Sequence, residues 1–182
     1  MSTDSALHTL FGDHPYTTLL SEIRDFTVFF MDAQGYIVSW NWGATLLFGY
    51  ESQDIIGHSF ERLFTSEDRQ EGAPERELSL ACSTGRGEDQ RWHLRKDGSC
   101  FWGNGSTTAL FDERGHLKGF AKIGRDDTAR KQIELKQQEL TEKLARQHSR
   151  FAYIFAHSPA FVTVLQGPNH IYDLANEAYH SL

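Results

Sequence analysis

The prediction of the fold rests on the stretch RWHLRKDGSCFWGNGSTTAL, residues 91–110. Two runs that alternate with period two lie on either side of the turn signal Lys96-Asp97-Gly98, and both are rich in strand-forming residues. This pattern predicts two antiparallel strands joined by a tight turn. The length of the turn then determines which side chains share a face, because successive strand residues point to opposite sides of a sheet.

Two registers are open for this hairpin. A two-residue turn at Asp97-Gly98 places His93 on the same side as Trp102, whereas a three-residue turn with a left-handed glycine places His93 with Gly103. We adopt the second register because it makes both faces coherent. One face is then apolar and carries Trp92, Leu94, Trp102 and Leu110. The other carries small residues beside a histidine and is open, with His93, Gly103, Gly105, Thr107 and Ala109.

Strand and helix signals extend outward from this hairpin in a definite order. Upstream, FTVFFMD and YIVSWN predict a first hairpin with its turn at Ala33-Gln34-Gly35. Short helices follow, capped by Asn41, Gly49, Pro74 and Gly85, over WGATLLFGY, SQDIIG, SFERLF and PERELSLACSTG. Downstream, HLKGFAKIGR predicts the last strand. Two strands, several short helices and three strands predict an α+β domain, with a five-stranded antiparallel sheet and its helices on one face.

Two further helices are predicted at the ends of this domain. Apolar residues at helical spacing predict an amphipathic helix near Tyr16–Arg24. Residues Ala129–Phe155 lack glycine and proline and predict one long helix. Its heptad seam consists of Ile133, Gln137, Leu140, Leu144, Gln147, Phe151 and Ile154. This seam predicts a modest parallel coiled coil, and the alternative is a solvated helix packed on its own domain.

Composition excludes several functional classes. The chain has 182 residues, of which 39% are hydrophobic, enough for one core of about 100 to 150 residues. A formal net charge of −7 argues against nucleic acid or an anionic membrane as the partner. Cys82 and Cys100 lie far apart, so neither a zinc site nor a disulfide framework is predicted. With no signal-peptide pattern and no long apolar run, we expect a cytoplasmic segment.

In their order and spacing, these motifs resemble a PAS domain with its C-terminal PAC segment. The resemblance runs from Phe26 to Thr128 and rests on FFMDAQGYIVSWNWGATLLFGY, SQDIIGHSFERLF, RKDGSCFW and GFAKIGRDDTARK. It implies a sensory or relay module whose sheet and short helices enclose a pocket. It also implies that the helix after the last strand carries a signal to an output domain, such as a sensor histidine kinase, in a longer parent protein.

The chain beyond residue 150 resembles the start of a second PAS domain, through SPAFVTVL, the GPNH turn and the AN-x-AY helix start. Four segments are therefore expected. They are an N-terminal extension with an amphipathic helix (1–25), a PAS/PAC sensory domain (26–128), a helical coiled-coil linker (129–150) and a truncated second PAS domain (151–182).

The resemblance gives the candidate site residues their roles. The pocket is expected to be lined by Arg91, His93, Gly103, Gly105, Thr107 and Gly124. The signal is expected to leave through a junction made of Asp126, Asp127 and Thr128, with an aspartate and the threonine capping the long helix. A homodimer is expected through a face that includes Trp92, Leu94, Trp102, Leu140 and Leu144.

The sequence does not determine whether a cofactor binds, or which one. The matching stretch GHSFERLF lacks the reactive cysteine of the light-sensing subclass, so cysteinyl-flavin photochemistry is not expected. PERELSLACSTG has no histidine to bind haem iron, which disfavours haem, although His93 in a pocket is a theoretical ligand. Non-covalent flavin or another planar ligand remains an option beside His93 and Arg91. The alternative is a pocket filled by some of the 13 phenylalanines.

No catalytic pattern is present: neither a nucleophile triad, a carboxylate pair nor a phosphate loop is found. His148 lacks the acidic residue and proline-terminated turn expected of a phosphoacceptor histidine. We therefore expect no enzymatic activity in this segment. Two functional classes remain: a ligand-sensing module, and a structural dimerisation module with a filled core and no ligand.

Overall fold

The computed structural model describes residues 22–160, 162–169 and 171–180. Most of the predicted N-terminal helix, Tyr16–Arg24, lies outside the described residues. The chain divides into two compact units, Met1–Lys131 and Gln132–Leu182.

The first unit begins with strand β1, Thr27–Asp32. The helical segments that follow are α1 (Trp42–Phe48), α2 (Ser52–Ile55), a 3-10 turn (Phe60–Leu63), α3 (Ser66–Gln70) and α4 (Ala73–Thr84). Three longer strands come next, β2 (Arg86–Leu94), β3 (Cys100–Phe111) and β4 (Leu117–Asp126). Helix α5, Thr128–His157, starts two residues after β4.

The described strands of this unit form an antiparallel sheet in the order β1-β4-β3-β2. The predicted α+β class and the antiparallel sheet are confirmed, but the sheet has four strands rather than five. The predicted strand YIVSWN makes only isolated bridges, one of them between Met31 and Ile37. The physical reason is Ser39, whose Oγ accepts the Phe30 N–H at 2.9 Å. A side chain thus takes the place of the next backbone partner, and the ladder ends.

The β2–β3 hairpin has the three-residue register that the sequence predicts. Trp92 lies opposite Trp102 and His93 opposite Phe101. Arg95 N–H donates to Ser99 O at 2.8 Å, which closes a turn over Lys96-Asp97-Gly98. Gly98 is left-handed with φ +86°, which glycine adopts without steric cost.

Asn41 fastens helix α1 to strand β1. Its Oδ1 accepts the N–H groups of Ala44 in the helix and Val28 in the strand, both at 2.9 Å. Its Nδ2 donates to Ile23 O at 3.1 Å and to Phe26 O at 3.0 Å. One side chain therefore caps the helix and also holds the chain that enters the strand, beyond the N-cap role that the sequence predicts.

An aromatic core fills the space between the sheet and the helices. Its buried rings are Phe29, Trp40, Phe48, Phe60, Phe64, Phe101 and Phe120. Burying a ring of this size contributes roughly 1.5 to 3 kcal/mol. The core is therefore the main source of stability of the first unit and forms the wall of whatever space remains inside.

Helix α5 has thirty residues, and none of them is buried. It includes the predicted Ala129–Phe155 helix and confirms it. Its seam residues are more than half exposed, at Ile133, Leu140, Leu144, Phe151 and Ile154. Across the described residues, no helix is both long and apolar enough to cross a bilayer.

The second unit contains a small hairpin and the start of a helix. Strands β5, Thr163–Gln166, and β6, Ile171–Ala175, pair antiparallel, and α6 covers Glu177–His180. Asn176 lies between β6 and α6 and is 2% exposed. Its Oδ1 accepts the Val162 N–H at 2.9 Å, and its Nδ2 donates to Ala160 O at 2.9 Å.

Candidate functional site

A small cavity lies between the inner face of the sheet and the helices. Its volume is about 20 Å³, room for about one water molecule. It is lined by Thr27, Phe29, Phe48, Phe60, Leu63, Phe64, Asp89, His93, Phe101, Gly103, Asn104, Gly105, Lys122, Gly124 and Arg125. Aromatic rings and charged groups therefore meet in one enclosed space.

The predicted pocket residues fall into two groups. Those that line the cavity are His93, Gly103, Gly105 and Gly124. Thr107 is buried on the same face, but its hydroxyl donates to Glu77. Arg91 does not line the cavity; it is partly buried, with Nε 2.5 Å from Asp89 Oδ1 and Nη1 3.4 Å from Asp68 Oδ1. Their role in binding a ligand stays a prediction.

The glycines on β3 do not leave an open floor. A Cβ on Gly103 would overlap the imidazole ring of His93, and a Cβ on Gly105 would overlap the backbone of β4 at Ile123 and Gly124. The space that the missing side chains release is taken by a ring from β2 and by a closely approaching strand. The floor is filled from within, unlike the open face expected from the sequence.

A buried charged cluster lies beside the cavity and consists of Glu77, Asp89, His93, Thr107 and Lys122. Lys122 Nζ lies 2.5 Å from Glu77 Oε1 and also contacts Asp89 Oδ2. The side chains of Lys122, Asp89 and Glu77 are 7%, 2% and 0% exposed. Ionic groups so completely removed from water require partners of opposite charge, and here each has one.

Asp89 is the shared acceptor of this cluster. Burial raises the pKa of its carboxyl group, but the positive charge of Lys122 and the hydrogen bond with His93 outweigh that effect. Together they hold the pKa of Asp89 far below its usual range. The carboxylate is therefore ionised at neutral pH and can only accept hydrogen bonds.

His93 connects the cluster to the helical layer. Its Nε2 lies 2.7 Å from Asp89 Oδ2, and its Nδ1 lies 2.9 Å from the carbonyl oxygen of Leu63 in the 3-10 turn. The ring is 3% exposed and packs against the rings of Phe48, Phe64 and Phe101. The backbones of His93 and Phe64 also form an antiparallel bridge.

The sequence interpretation missed the charged partners of His93. Asp89 precedes His93 by four residues on β2, and Lys122 follows the core residue Phe120 by two on β4. Period-two alternation alone indicates that all three side chains point inward. The signal was available, but a charged residue in a strand is normally taken as an exposed one.

The junction between β4 and α5 is tied to β3. Asp126 Oδ1 accepts the Thr128 N–H at 2.8 Å, which is the predicted capping contact. The Thr128 hydroxyl instead accepts the Trp102 N–H at 2.8 Å, and the Asp127 N–H donates to Trp102 O at 2.9 Å. Thr128 therefore extends the hydrogen bonding of β3 beyond the end of β4, in addition to starting the helix.

Two residues connect this junction to the interior. Asn104 lines the cavity, and its Nδ2 donates to Asp127 Oδ2 at 2.7 Å. Arg95 donates from Nη2 to Asp126 Oδ2 at 2.8 Å and from Nη1 to Leu47 O near the end of α1. The sequence interpretation named neither residue, because both contacts depend on the tertiary fold.

The outer face of the sheet carries the predicted dimer residues. Trp92, Leu94 and Trp102 are partly buried, and the two indole rings lie 5.5 Å apart in an edge-to-face arrangement. Lys131 Nζ lies 4.7 Å from the centre of the Trp102 ring. Leu140 and Leu144 on α5 are 57% and 67% exposed. Apolar surface therefore remains accessible on both the sheet and the helix.

Comparisons with known proteins agree with this geometry. Two-component system protein A from Emericella nidulans is 40% identical over 119 residues, which are 65% of this chain and 17% of that protein. The chain thus spans about a sixth of the length of this relative. The solved PAS domain of a protein from Colwellia psychrerythraea is 25% identical with a TM-score of 0.58, covering 62% of this chain and 94% of its own.

A second solved structure has a similar relationship. It is a PAS domain in complex with ethanol, from a transcriptional regulator of the LuxR family in Burkholderia thailandensis. It is 26% identical with a TM-score of 0.53 and covers 62% of this chain and 96% of its own. A family model described as PAS domain matches residues 25–129, more than half of the chain. With its antiparallel sheet, short helices and small cavity between them, this chain belongs to the PAS domain family.

Proposed function

We propose that this chain is the sensory and relay segment of a larger signal-transduction protein. In this proposal the PAS domain responds to a small ligand, and helix α5 passes the response to an output domain such as a histidine kinase. The name of the Emericella relative, a two-component system protein, supports this context. The proposal includes a cytoplasmic location and a binding role without catalysis.

The observation that carries the proposal is that two strands lining the cavity, β3 and β4, also hold the junction. Asn104 and Arg125 both line the cavity, and both bind Asp127, at 2.7 Å from Asn104 Nδ2 and 2.8 Å from Arg125 Nε. Asp127 O in turn accepts the N–H of Lys131 in the first turn of α5. The side chains of Asn104 and Arg125 alternate with the cavity-facing glycines and point to the other face of the sheet. A shift of β3 or β4 at the cavity therefore moves the hydrogen bonds that begin the helix.

The ligand in this proposal has only a few heavy atoms. Pockets that enclose cofactor-sized molecules measure about 300 Å³ or more, whereas this cavity is about 20 Å³. The flavin option is therefore not carried forward. A small polar molecule requires much less expansion of the cavity than a flavin does, and the related LuxR-family PAS domain is in complex with ethanol.

A structural dimerisation module is the second candidate function. The aromatic packing around the cavity and the exposed seam of α5 favour it, because an apolar seam gains stability only when another surface covers it. In this version two copies pair along α5 and the outer sheet face, with no ligand. The homodimer is compatible with both candidate functions.

The second unit is proposed to begin another PAS domain. Asn176 makes the same kinds of hydrogen bond as Asn41: it accepts from an earlier segment, here Val162 directly before β5, and from the helix after it. A tandem arrangement of this kind gives α5 two domains to connect.

The relay is tested by fusing the chain to the output domain of its parent protein. We expect Asn104→Ala, Asp126→Ala and Thr128→Ala to stay folded by far-UV circular dichroism, but to uncouple the output from the input state. Asn169→Ala, at an exposed turn of the second unit, is the matched control. Normal signalling by all three variants would show that the junction is only a linker.

Ligand binding and dimerisation have separate tests. Titration of ¹⁵N-labelled protein with ethanol is expected to shift the amide signals of Gly103, Gly105 and Gly124 in a saturable way. A linear drift without saturation would favour the filled-core module. In sedimentation equilibrium we expect a dimer that Trp102→Glu or Leu144→Glu dissociates, and a monomeric wild type at tens of micromolar would exclude the homodimer.

A further inference from the structure

We propose that His93 is a proton-dependent latch: as an imidazolium it fastens the 3-10 turn Phe60–Leu63 to strand β2 over the cavity, and loss of one ring proton releases that turn. The latch is a property of the PAS core itself. It requires neither a ligand nor an output domain, so it stands or falls independently of the proposed relay.

The first step is the chemistry of the two ring contacts of His93. Nδ1 faces the Leu63 carbonyl oxygen at 2.9 Å, and a carbonyl oxygen can only accept a hydrogen bond. Nε2 faces Asp89 Oδ2 at 2.7 Å, and an ionised carboxylate can also only accept. Both ring nitrogens must therefore carry a proton for both contacts to be hydrogen bonds, which makes the ring an imidazolium.

The second step excludes a proton on Asp89 instead. Its Oδ2 also contacts Lys122 Nζ, and its Oδ1 lies 2.5 Å from Arg91 Nε. Both carboxylate oxygens are thus engaged by cationic donors, and a carboxyl proton would have to displace one of them. The low pKa of Asp89 agrees with an ionised group.

The third step is the charge balance around the ring. The charged groups that face or adjoin it are Asp89 and Arg91 on β2, Lys122 on β4, Glu77 on α4 and Asp68 on α3. Arg91 and Asp68 pair with each other. Arg91 also contacts Asp89, so the cluster is counted as a whole: Asp68, Glu77 and Asp89 are the anions, and Arg91 and Lys122 are the cations. A cationic His93 makes this set neutral, whereas a neutral His93 leaves it with a net negative charge.

The fourth step is the consequence of deprotonation. The remaining ring proton stays on Nε2, because the Asp89 carboxylate is a stronger acceptor than a backbone carbonyl. The lone pair of Nδ1 then faces the lone pairs of Leu63 O, and the two groups repel each other. Phe60, Leu63 and Phe64 all line the cavity, so movement of this segment away from β2 enlarges the cavity.

The experiment uses the full chain with ¹⁵N-labelled histidine rings and follows two quantities between about pH 6 and about pH 9, a range around the usual histidine titration. Ring ¹⁵N shifts report the protonation state, with the His93 signal assigned by its loss in His93→Gln. Amide hydrogen exchange of Phe64, corrected for intrinsic pH dependence, reports release of the turn. His58→Gln is the matched control, because His58 is exposed and lies two residues before the turn.

At the lower pH we expect His93 to show the imidazolium pattern. As the ring loses its proton, exchange at Phe64 is expected to accelerate roughly tenfold or more, the scale of one lost hydrogen bond to a charged group. His58→Gln keeps this acceleration and His93→Gln abolishes it. A neutral His93 at about pH 6, or a Phe64 exchange rate that ignores the titration, overturns the proposal. The Phe64 exchange rate is measured on the wild type, so its response to pH tests the proposal even if His93→Gln fails to fold.

Discussion

Asn41 and Asn176 occupy equivalent positions in the two units of this chain. Each Oδ1 accepts a backbone N–H from an earlier segment at 2.9 Å, from Val28 in β1 and from Val162 directly before β5. Each also accepts an N–H from the following helix, from Ala44 and from Tyr179. Each Nδ2 donates to backbone carbonyl oxygens preceding the strand. The same short device therefore recurs about 135 residues later in the chain.

The surroundings of the two asparagines differ. Around Asn41, a four-stranded sheet and an aromatic core bury the neighbouring side chains. In the second unit, Val164, Leu165 and Leu174 stay 36%, 45% and 47% exposed. The comparison shows that nearby residues alone can specify a strand, the asparagine that follows it and the start of the next helix. Burial of the strand requires partners that come from further along a chain.

The largest effect is expected from removing the counter-charge of the buried cluster. Lys122→Met leaves Glu77 and Asp89 buried without their cation, and we expect the free energy of unfolding to fall by about 3 to 5 kcal/mol. Urea denaturation followed by tryptophan fluorescence measures this, since all four tryptophans belong to the first unit. Lys136→Met, which removes an exposed pair with Glu139 in the second unit, should change stability by less than about 0.5 kcal/mol. Equal effects of the two variants would contradict the buried ionic cluster.

The next effect tests the two asparagines directly. Asn41→Ala leaves buried N–H and C=O groups without partners, and we expect a loss of about 2 to 4 kcal/mol in the tryptophan-detected transition. Asn176→Ala should leave that transition unchanged within about 0.5 kcal/mol, because the units are separately compact. Asn41→Asp keeps the acceptor but loses the donor, so an intermediate value is expected. If Asn176→Ala destabilises the first unit as strongly as Asn41→Ala, the two units do not fold independently.

A smaller effect distinguishes a packed glycine from an open one. A Cβ at Gly103 overlaps the His93 ring, so Gly103→Ala is expected to cost about 1 to 3 kcal/mol. Gly167, in the turn of the second hairpin, has φ +74° with open space around it. Gly167→Ala should cost about 1 kcal/mol locally and leave the tryptophan transition in place. A Gly103→Ala variant as stable as wild type would mean that the ring of His93 can move aside.

The smallest effect concerns the cap of α5 and depends on pH. Burial raises the pKa of Asp126, but hydrogen bonds from Thr128 and Arg95 outweigh it and hold the pKa below the usual value. A lowered folded-state pKa means that the contribution is present above about pH 4 and is lost as the pH falls further. We expect Asp126→Ala to cost about 0.5 to 2 kcal/mol at neutral pH and progressively less in acid. Asp173→Ala, at an exposed carboxylate of the second unit, is the control and should show no such convergence.

Much of the fold follows from sequence because its signals are local. Turn chemistry at Gly98 determines the β2–β3 register, and the capping residues Asn41 and Gly49 set the limits of α1. The fifth strand was mispredicted because Ser39 takes a backbone role with its side chain, which no alternation pattern shows. The misprediction comes from the hydroxyl group of Ser39 and not from the alternation pattern of the segment.

The candidate site was less predictable from the sequence, because the size of its cavity depends on side chains and strands that come from distant parts of the chain. Gly103 and Gly105 correctly indicate that another group lies close to the backbone of β3. The sequence does not show that this group is the ring of His93 or the strand β4 rather than a ligand. Glu77 reaches Lys122 across 45 positions, a separation at which no spacing rule applies. Such contacts become visible only when the sheet order is known.

In α5, a helix of thirty residues, chain length determines an angle. At about 1.5 Å and 100° per residue, the helix spans about 45 Å and completes about eight turns. Deleting a single residue keeps nearly all of that reach but rotates everything beyond it by about 100°. Deleting seven shortens it by about 10 Å yet returns the seam close to its original direction. In a helix without buried residues, residue count therefore sets the rotational phase of any segment attached to its C-terminal end.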